Sequence, residues 1–336
     1  MTTRHWLMLG IAGLALLLSA PGIIVTQPML PAGDTAATRV VDPERLKGHV
    51  AMLSQRLVPR DWRHVENLDS AAAYLSEQLV AAGSRVTEQP YQMRGNNEMR
   101  GKTYRNVIAT LGPDSKERIV VGAHYDAFLR YPAADDNASG IAALIELARM
   151  LAGDSLPIRV DLVAFSLEEP LAEGAQGNFR TADGGSAVHA TSLRAMGAQV
   201  RLMFSLETLG FFSDKKNSQG FPISLLRRWY PNEGNFITVV SNLQGMSMVR
   251  TVKGAMRAAS PLPVYSINAP SKVEGIDYSD HFNYWRNGYS AVMITDTAFN
   301  RNKAYHTAAD TAERLDYMRM AMVVQGVHGA VLAVAR

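Results

Sequence analysis

The 336-residue chain predicts an α/β fold, a three-layer sandwich whose mixed, mostly parallel central sheet is flanked by helices. Three observations carry this. Short apolar runs rich in strand formers alternate with longer segments of helical spacing, the pattern of a sheet covered on both faces. Four of the runs end in acids or histidine, beyond the carboxyl ends of strands, where open α/β sheets place their sites. The motif-bearing segments cover nearly the whole chain, so residues 42–336 are read as one domain.

The elements follow in order. Trp6 to Val25 is a run of 20 residues without a charge, preceded by Arg4. That length spans a bilayer as a helix. The rival is a cleaved signal peptide with Leu7–Leu18 as its apolar region, but the chain shows no Ala-x-Ala-like site and Ala20-Pro21 is a poor junction. Residues 1–25 are therefore read as a signal anchor or signal peptide, and 26–41, with Pro28, Pro31 and Gly33, as a linker. The expectation is export, with membrane anchoring through the apolar segment and the following domain periplasmic or extracellular. Pro43–Leu57 and Leu68–Ala82 have helical spacing, and Gly83 stops the second.

Ile119-Val120-Val121 reads as a buried strand leading into His124-Tyr125-Asp126 and then Asp135-Asp136-Asn137-Ala138-Ser139-Gly140. Ser139–Leu151 is a helix opening at the acid loop, so its positive dipole end favours the carboxylates there. Val160–Leu167 is a second strand, ending in Glu168-Glu169, and Val200–Leu206 a third, ending in Glu207. Between them Pro170–Ser186, with Gly174, Gly177, Gly184 and Gly185, is expected to be a mobile loop over the cleft. Ala291–Thr295 ends in Asp296, with Tyr305-His306 in the loop beyond, and Ala312–Ala335 is a last helix apolar enough to pack on the sheet.

One histidine among several carboxylates and no cysteine is the ligand chemistry of a hydrolytic zinc site rather than a thiolate-rich structural one. Residues 124–140 alone would equally suit a polar loop whose Asp and Asn make turns. Acids recurring at four strand ends decide for a metal site. Adjacent side chains on a strand point to opposite faces, so Glu168 and Glu169 serve one site only where the chain is turning. Different jobs then suit them, one ligating a metal and the other free as a general base.

His49, His64, His189 and His328 read as surface or packing residues, and His281 as structural or bracing. Arg227-Arg228 and Lys215-Lys216 read as solvated. The net charge of +3 is dispersed and gives no nucleic-acid footprint. Zero cysteines exclude disulfides and thiolate metal sites. His-Glu-x-x-His, Gly-x-Ser-x-Gly and a phosphate-cradling glycine loop are all missing.

The succession Gly122-Ala123-His124-Tyr125-Asp126, Asp135-Asp136-Asn137-Ala138-Ser139-Gly140, Phe165-Ser166-Leu167-Glu168-Glu169, Ser205-Leu206-Glu207-Thr208-Leu209-Gly210 and Tyr305-His306-Thr307-Ala308-Ala309-Asp310-Thr311 resembles the M28 metallopeptidases, the co-catalytic di-zinc aminopeptidases and their relatives. The resemblance runs over roughly residues 45–334. It implies a zinc-exopeptidase-like fold, two Zn2+ per chain, a peptide substrate and release of N-terminal residues. Carried over, Asp136 bridges the two ions, His124 and Glu207 complete one, and Glu169 and His306 the other. Glu168 is the general base and Tyr305 helps to hold the oxyanion.

Asp126 is the expected acceptor for the other N–H of the His124 imidazole. Asp135 or Asn137 would brace Asp136. Asp310 would brace the site or, three residues before Glu313, cap the helix that follows; the cap is favoured, and both can hold together. Glu207 stands where the best-known members carry Asp, one methylene shorter, although some branches carry Glu. The alternatives are a single-zinc glutaminyl cyclase-like acyltransferase, a carboxypeptidase or dipeptidase of the same fold, and an ectodomain that has kept the fold and lost the site.

Overall fold

The computed structural model of the chain describes residues 22–29, 39–94, 98 and 100–336. Most of the apolar run, residues 1–21, and residues 30–38 of the linker lie outside the described residues. The apolar runs become strands β1 (Arg85–Gln92), β2 (Thr103–Leu111), β3 (Glu117–His124), β4 (Arg159–Phe165), β5 (Gln199–Glu207), β6 (Ile237–Ser241), β7 (Val264–Asn268) and β8 (Ala291–Thr295). They form one mixed sheet in the order β1-β2-β4-β3-β5-β8-β6-β7. Within it β4, β3, β5 and β8 are neighbours and run parallel, whereas β1 and β2 are added antiparallel and β6 pairs antiparallel to β8. The strands that pair in parallel at the centre are apolar on both faces: β3 buries every residue after Glu117, as sheets covered on both sides require.

The helices are α1 (Pro43–Ala51), α2 (Val65–Ala81), α3 (Gly140–Leu151), α4 (Gly185–Ala195), α5 (Met246–Ala259), α6 (His281–Arg286) and α7 (Tyr317–Ala335). Asp42 caps α1 by accepting from Glu44 N at 3.0 Å, and a wider helical turn, Met52–Arg56, continues it. Gly83 follows α2 at φ 91°, a backbone conformation that costs a side-chain-bearing residue about 1–2 kcal/mol. In α3 only Arg149 escapes burial, so this helix is apolar all round and lies between the sheet and other helices.

The last predicted helix is shorter than its apolar pattern. Ala312–Arg314 is a separate turn, Leu315 is extended, and Asp316 caps α7 by accepting from Arg319 N at 2.9 Å. α7 is long and apolar enough to cross a membrane, yet 61% of its most apolar window is buried in the fold. It packs on α5, where a methyl group at Gly329 would lie 2.5 Å from Ala259 Cβ. That close approach marks it as a core helix.

The loop of residues 170–184 is more tightly held than its glycines suggest. Asn178 Nδ2 donates to Leu167 O at 2.9 Å, and Arg180 forms a two-pronged pair with Asp277 at 3.0 and 2.9 Å. A Cβ on Gly184 would lie 2.8 Å from Phe179 Cα, and one on Gly185 would meet the Ser166 backbone. These two glycines serve close packing. Gly174, at φ 72° with open space around it, fits the looser reading.

Candidate active site

The carboxyl ends of β4, β3, β5 and β8 lie side by side, and each delivers part of one buried acidic cluster. His124 is the last residue of β3. Glu207 is the last of β5. Asp136 sits on the loop leading into α3, and His306 on the loop after β8. β4 ends at Phe165, and Leu167 then adopts φ 59°. The turn takes the chain out of strand geometry before Glu168 and Glu169, which lets both carboxylates line the same cavity. Ala133 (φ 51°), Thr208 (φ 49°) and His306 (φ 55°) are left-handed too. Such non-glycine residues cost about 1–3 kcal/mol each and cluster where a fold holds functional groups in place.

Asp136 is the centre of the arrangement. Its Oδ1 is 3.2 Å from His124 Nε2, which is 3.6 Å from Glu207 Oε2. Its Oδ2 is 3.0 Å from His306 Nε2, which is 3.1 Å from Glu169 Oε2. One carboxylate therefore faces two histidine–carboxylate pairs, one on each oxygen. Among the described residues, His124, Asp136 and Glu169 present ligand atoms that all lie within 4.8 Å of one another. His124 Nε2, His306 Nε2, Asp136 Oδ2 and Glu169 Oε1 are buried without a hydrogen-bond partner. Buried polar atoms left unpaired are costly, and all four belong to this one cluster, where cation ligands would lie. The donor set of imidazole and carboxylate suits zinc.

The charges agree. Burial raises Glu168 well above the usual carboxylate range, aided by Glu169 and Glu207. Burial, with Asp136 beside it, pushes Glu169 up to about 7. Burial alone would lower His306, but Glu169 and Asp136 carry it up to about 11. Burial likewise opposes the charged form of His124, and Glu207 and Glu168 outweigh it, raising the imidazole. Crowded buried carboxylates resist ionising together, so the site calls for positive charge beyond its two histidines.

The surroundings fix the cluster. The His306 ring is sandwiched between Phe128, at 4.3 Å and 16°, and Tyr305, at 4.0 Å and 11°. Asp126 divides its work: its backbone carbonyl lies 3.2 Å from His124 Nδ1 and its carboxylate Oδ1 at 3.5 Å. That carboxylate also accepts from Glu168 N at 3.0 Å and Glu169 N at 3.1 Å. It thus ties the β3 end to the glutamate pair. Asn137 and Asp135 tie the acid loop to the end of β5 and to the loops after β5 and β8: Asn137 Nδ2 donates to Leu206 O at 2.8 Å, and Asp135 accepts from Gly210 N at 3.0 Å and Asn302 Nδ2 at 2.9 Å.

Asp310 is not a helix cap. Its carboxylate accepts from Asp135 N and Asp136 N, each at 3.1 Å, while Thr311 occupies the cap position of the following turn. Buried backbone N–H groups of the acid loop have no partner in regular structure and take this one. Glu207 Oε2 accepts from Ser279 Oγ at 2.7 Å, which steadies the longer side chain.

Sequence reasoning missed Arg60. It is fully buried and donates to the carbonyls of Tyr125 (2.9 Å), Ala133 (3.2 Å) and Leu53, knitting the segments on either side of the acid loop. An isolated arginine in Pro59-Arg60-Asp61 carries no signal of this. Asp280, 1% exposed, was likewise given no role. His281 Nε2 donates to Ile276 O (2.8 Å), and His189 lies mid-helix in α4, buried against the Tyr284 hydroxyl at 2.6 Å. Neither joins the cluster, and nor do His49, His64 and His328, each of which pairs with an acid elsewhere.

The cluster opens into a cavity of about 730 Å3 lined by Glu168, Glu169, Tyr305 and His306 at one end. Much of the remaining lining is apolar, with Phe221, Leu226, Tyr230, Phe236, Ile267 and Met293, though Arg180, Thr238 and Glu274 also reach it. It pairs a polar, charged floor with an apolar chamber.

The chain and its fold have counterparts among known proteins. The chain is 42% identical over 315 residues to the uncharacterized protein YfbL of Escherichia coli (strain K12), covering 91% of this chain and 93% of that one. A leucine aminopeptidase precursor from Bacteroides thetaiotaomicron superposes with a TM-score of 0.67 at 18% identity, over 89% of this chain and 99% of that one. A glutaminyl cyclase from Fimbriiglobus ruber superposes with a TM-score of 0.65 at 21% identity, over 91% and 99%. The structural likenesses show a fold common to zinc aminopeptidases and glutaminyl cyclases. Residues 106–331, which hold every strand from β3 to β8 and all the clustered acids, match the model of peptidase family M28, and the chain belongs to that family.

Proposed function

We propose that the protein is a zinc-dependent exopeptidase of the aminopeptidase type, releasing N-terminal residues from peptides. The observation that carries this is Asp136, whose two oxygens lie 3.2 and 3.0 Å from the two imidazoles. His124 and Glu207 would hold one zinc, Glu169 and His306 the other, and Asp136 both. When bound, the zinc pair supplies Lewis acidity, lowering the pKa of the attacking water and polarising the scissile carbonyl.

The chain's own groups do the rest. Glu168 lines the cavity, and its carboxylate makes no hydrogen bond among the described residues. It is free to take the proton of the water and return it to the leaving amine. Burial holds the Tyr305 phenol well above its ordinary pKa, so it keeps the proton it donates to the developing oxyanion. The free amine of the peptide would lie near Glu168 and Glu169, with its side chain in the apolar chamber.

Cyclisation of N-terminal glutamine is the second reading, favoured by the shared fold. It needs one zinc, whereas both histidine–carboxylate halves are present here. Metal analysis with a panel of aminoacyl chromogenic amides and a glutaminyl peptide separates the two. The aminopeptidase releases chromophore and loses turnover in Glu168→Ala while keeping its zinc. Zinc binding without cleavage of the panel would replace this reading by the cyclase, carboxypeptidase or dipeptidase one. Export with anchoring through the apolar N-terminal segment is part of the proposal, and recovery of the full chain in a salt-washed membrane fraction tests it.

A further inference from the structure

Residues 22–29 do not hang from the domain. Residues 22–26 form one helical turn, closed by Gln27 N donating to Ile23 O at 2.9 Å. Gly22 lies so close to the Trp229 indole that a Cβ there would sit 2.9 Å from its Nε1. Met29 reaches Gly254 on α5.

The main attachment is polar and buried. Lys253, 4% exposed, donates to Thr26 O at 2.9 Å, Gln27 O at 3.1 Å and Ser266 Oγ at 3.3 Å. Ser266 Oγ also donates to Thr26 O at 2.8 Å. No carboxylate among the described residues pairs with Lys253, and burial pushes its pKa down to about 8. A buried ammonium needs acceptors, and two of its three come from this segment. The same Ser266 accepts at its carbonyl from Tyr230 OH at 2.6 Å, and Tyr230 lines the cavity. Val25, held between these attachments, lines that cavity too.

We propose that residues 22–29 are a built wall of the substrate chamber, latched by Lys253 and Ser266, and that Val25 sets the size of the apolar side chain the chamber accepts. The inference rests on the exopeptidase reading for the identity of the ligand and not for the wall itself. The docked segment also fixes the end of the apolar run against the chamber, so the wall and residues 1–21 are covalently continuous.

The test uses the full chain with Val25→Trp, Val25→Ala and Lys253→Met. Turnover of alanine, leucine and phenylalanine amides is measured, and calorimetry compares n-hexylamine with ethylamine, which requires no turnover. Val25→Trp should lower kcat/KM for the leucine and phenylalanine amides about tenfold or more relative to the alanine amide. It should weaken hexylamine and spare ethylamine, while Val25→Ala shifts preference towards the larger side chain. Lys253→Met should speed protease cutting within residues 22–29 about tenfold, as loss of a charged hydrogen-bond donor implies. If no amide is cleaved by the unmodified protein, the aminopeptidase reading falls and the hexylamine result still decides the wall. Unchanged substrate ratios and unchanged hexylamine affinity in Val25→Trp overturn the wall.

Discussion

At the scale of the residue, each acid has a separate task set by its neighbours. On the proposed reading Glu168 is the base, because it alone of the acids carried over from the family resemblance has an uncommitted carboxylate on the cavity. Glu168→Gln should lower kcat by about two to four orders of magnitude with zinc content unchanged, checked by kinetics beside metal analysis. Asp310 acts one step away, through the N–H groups of Asp135 and Asp136. Asp310→Ala leaves both without an acceptor. Zinc affinity should fall about 10–100-fold, read by competition with a chromogenic chelator, while Glu313→Ala, on the exposed side of the same turn, should leave it unchanged. His124 and Glu207 stood out in the sequence because each closes an apolar strand, and Glu169 because it follows one, whereas Asp136 and His306 lie on loops and were singled out by the family resemblance. Asp310 was misassigned because Asp-x-x-Glu is also the local pattern of a cap, and no local pattern records a bond to residues 174 and 175 positions earlier.

At the scale of the element, the positions that matter are those where a strand ends or two backbones meet. The four parallel strands were legible as apolar runs, since burial on both faces leaves no alternation to misread. β1 was not: its burial alternates, it is exposed at the sheet edge, and it contains Pro90, tolerated there because an edge strand can spare a ladder N–H. β6 and β7 are only five residues each. The break before α7 escaped because Leu315 continues the apolar pattern across it. Close packing makes a direct test. A Cβ on Gly122 of β3 would collide with the Phe165 ring, whereas one on Gly48, exposed on α1, meets nothing within 4 Å. Gly122→Ala should cost about 1–3 kcal/mol and Gly48→Ala should gain about 0.5–1 kcal/mol, both read from urea midpoints with unchanged m-values.

At the scale of the whole molecule, the sheet gathers four chain segments into one charged floor and leaves an apolar chamber beside it. Burial of other titratable groups gives the fold a pH signature independent of that floor. Burial holds His189 down to about 4. Since its folded pKa lies below the unfolded value of about 6.5, the unfolded chain binds the extra proton between these values. Stability from this group is complete above pH 6.5 and is lost as pH falls towards 4. His189→Gln should flatten the pH dependence of the unfolding free energy by about 1.4 kcal/mol per pH unit in that window. An unaltered slope would place the imidazole in contact with water. The fold class was legible because layer architecture follows from pattern. The chamber's wall was not, since residues 22–29 read as the end of an apolar run and the start of a linker.

The central claim is that Asp136 joins two metal half-sites, and zinc stoichiometry tests it most directly. Protein loaded with zinc and freed of excess should hold about two ions per chain, and Asp136→Asn should lose both together, because each half-site loses an oxygen. A single tightly held zinc in the unmodified protein, or one retained unchanged in Asp136→Asn, would contradict the account.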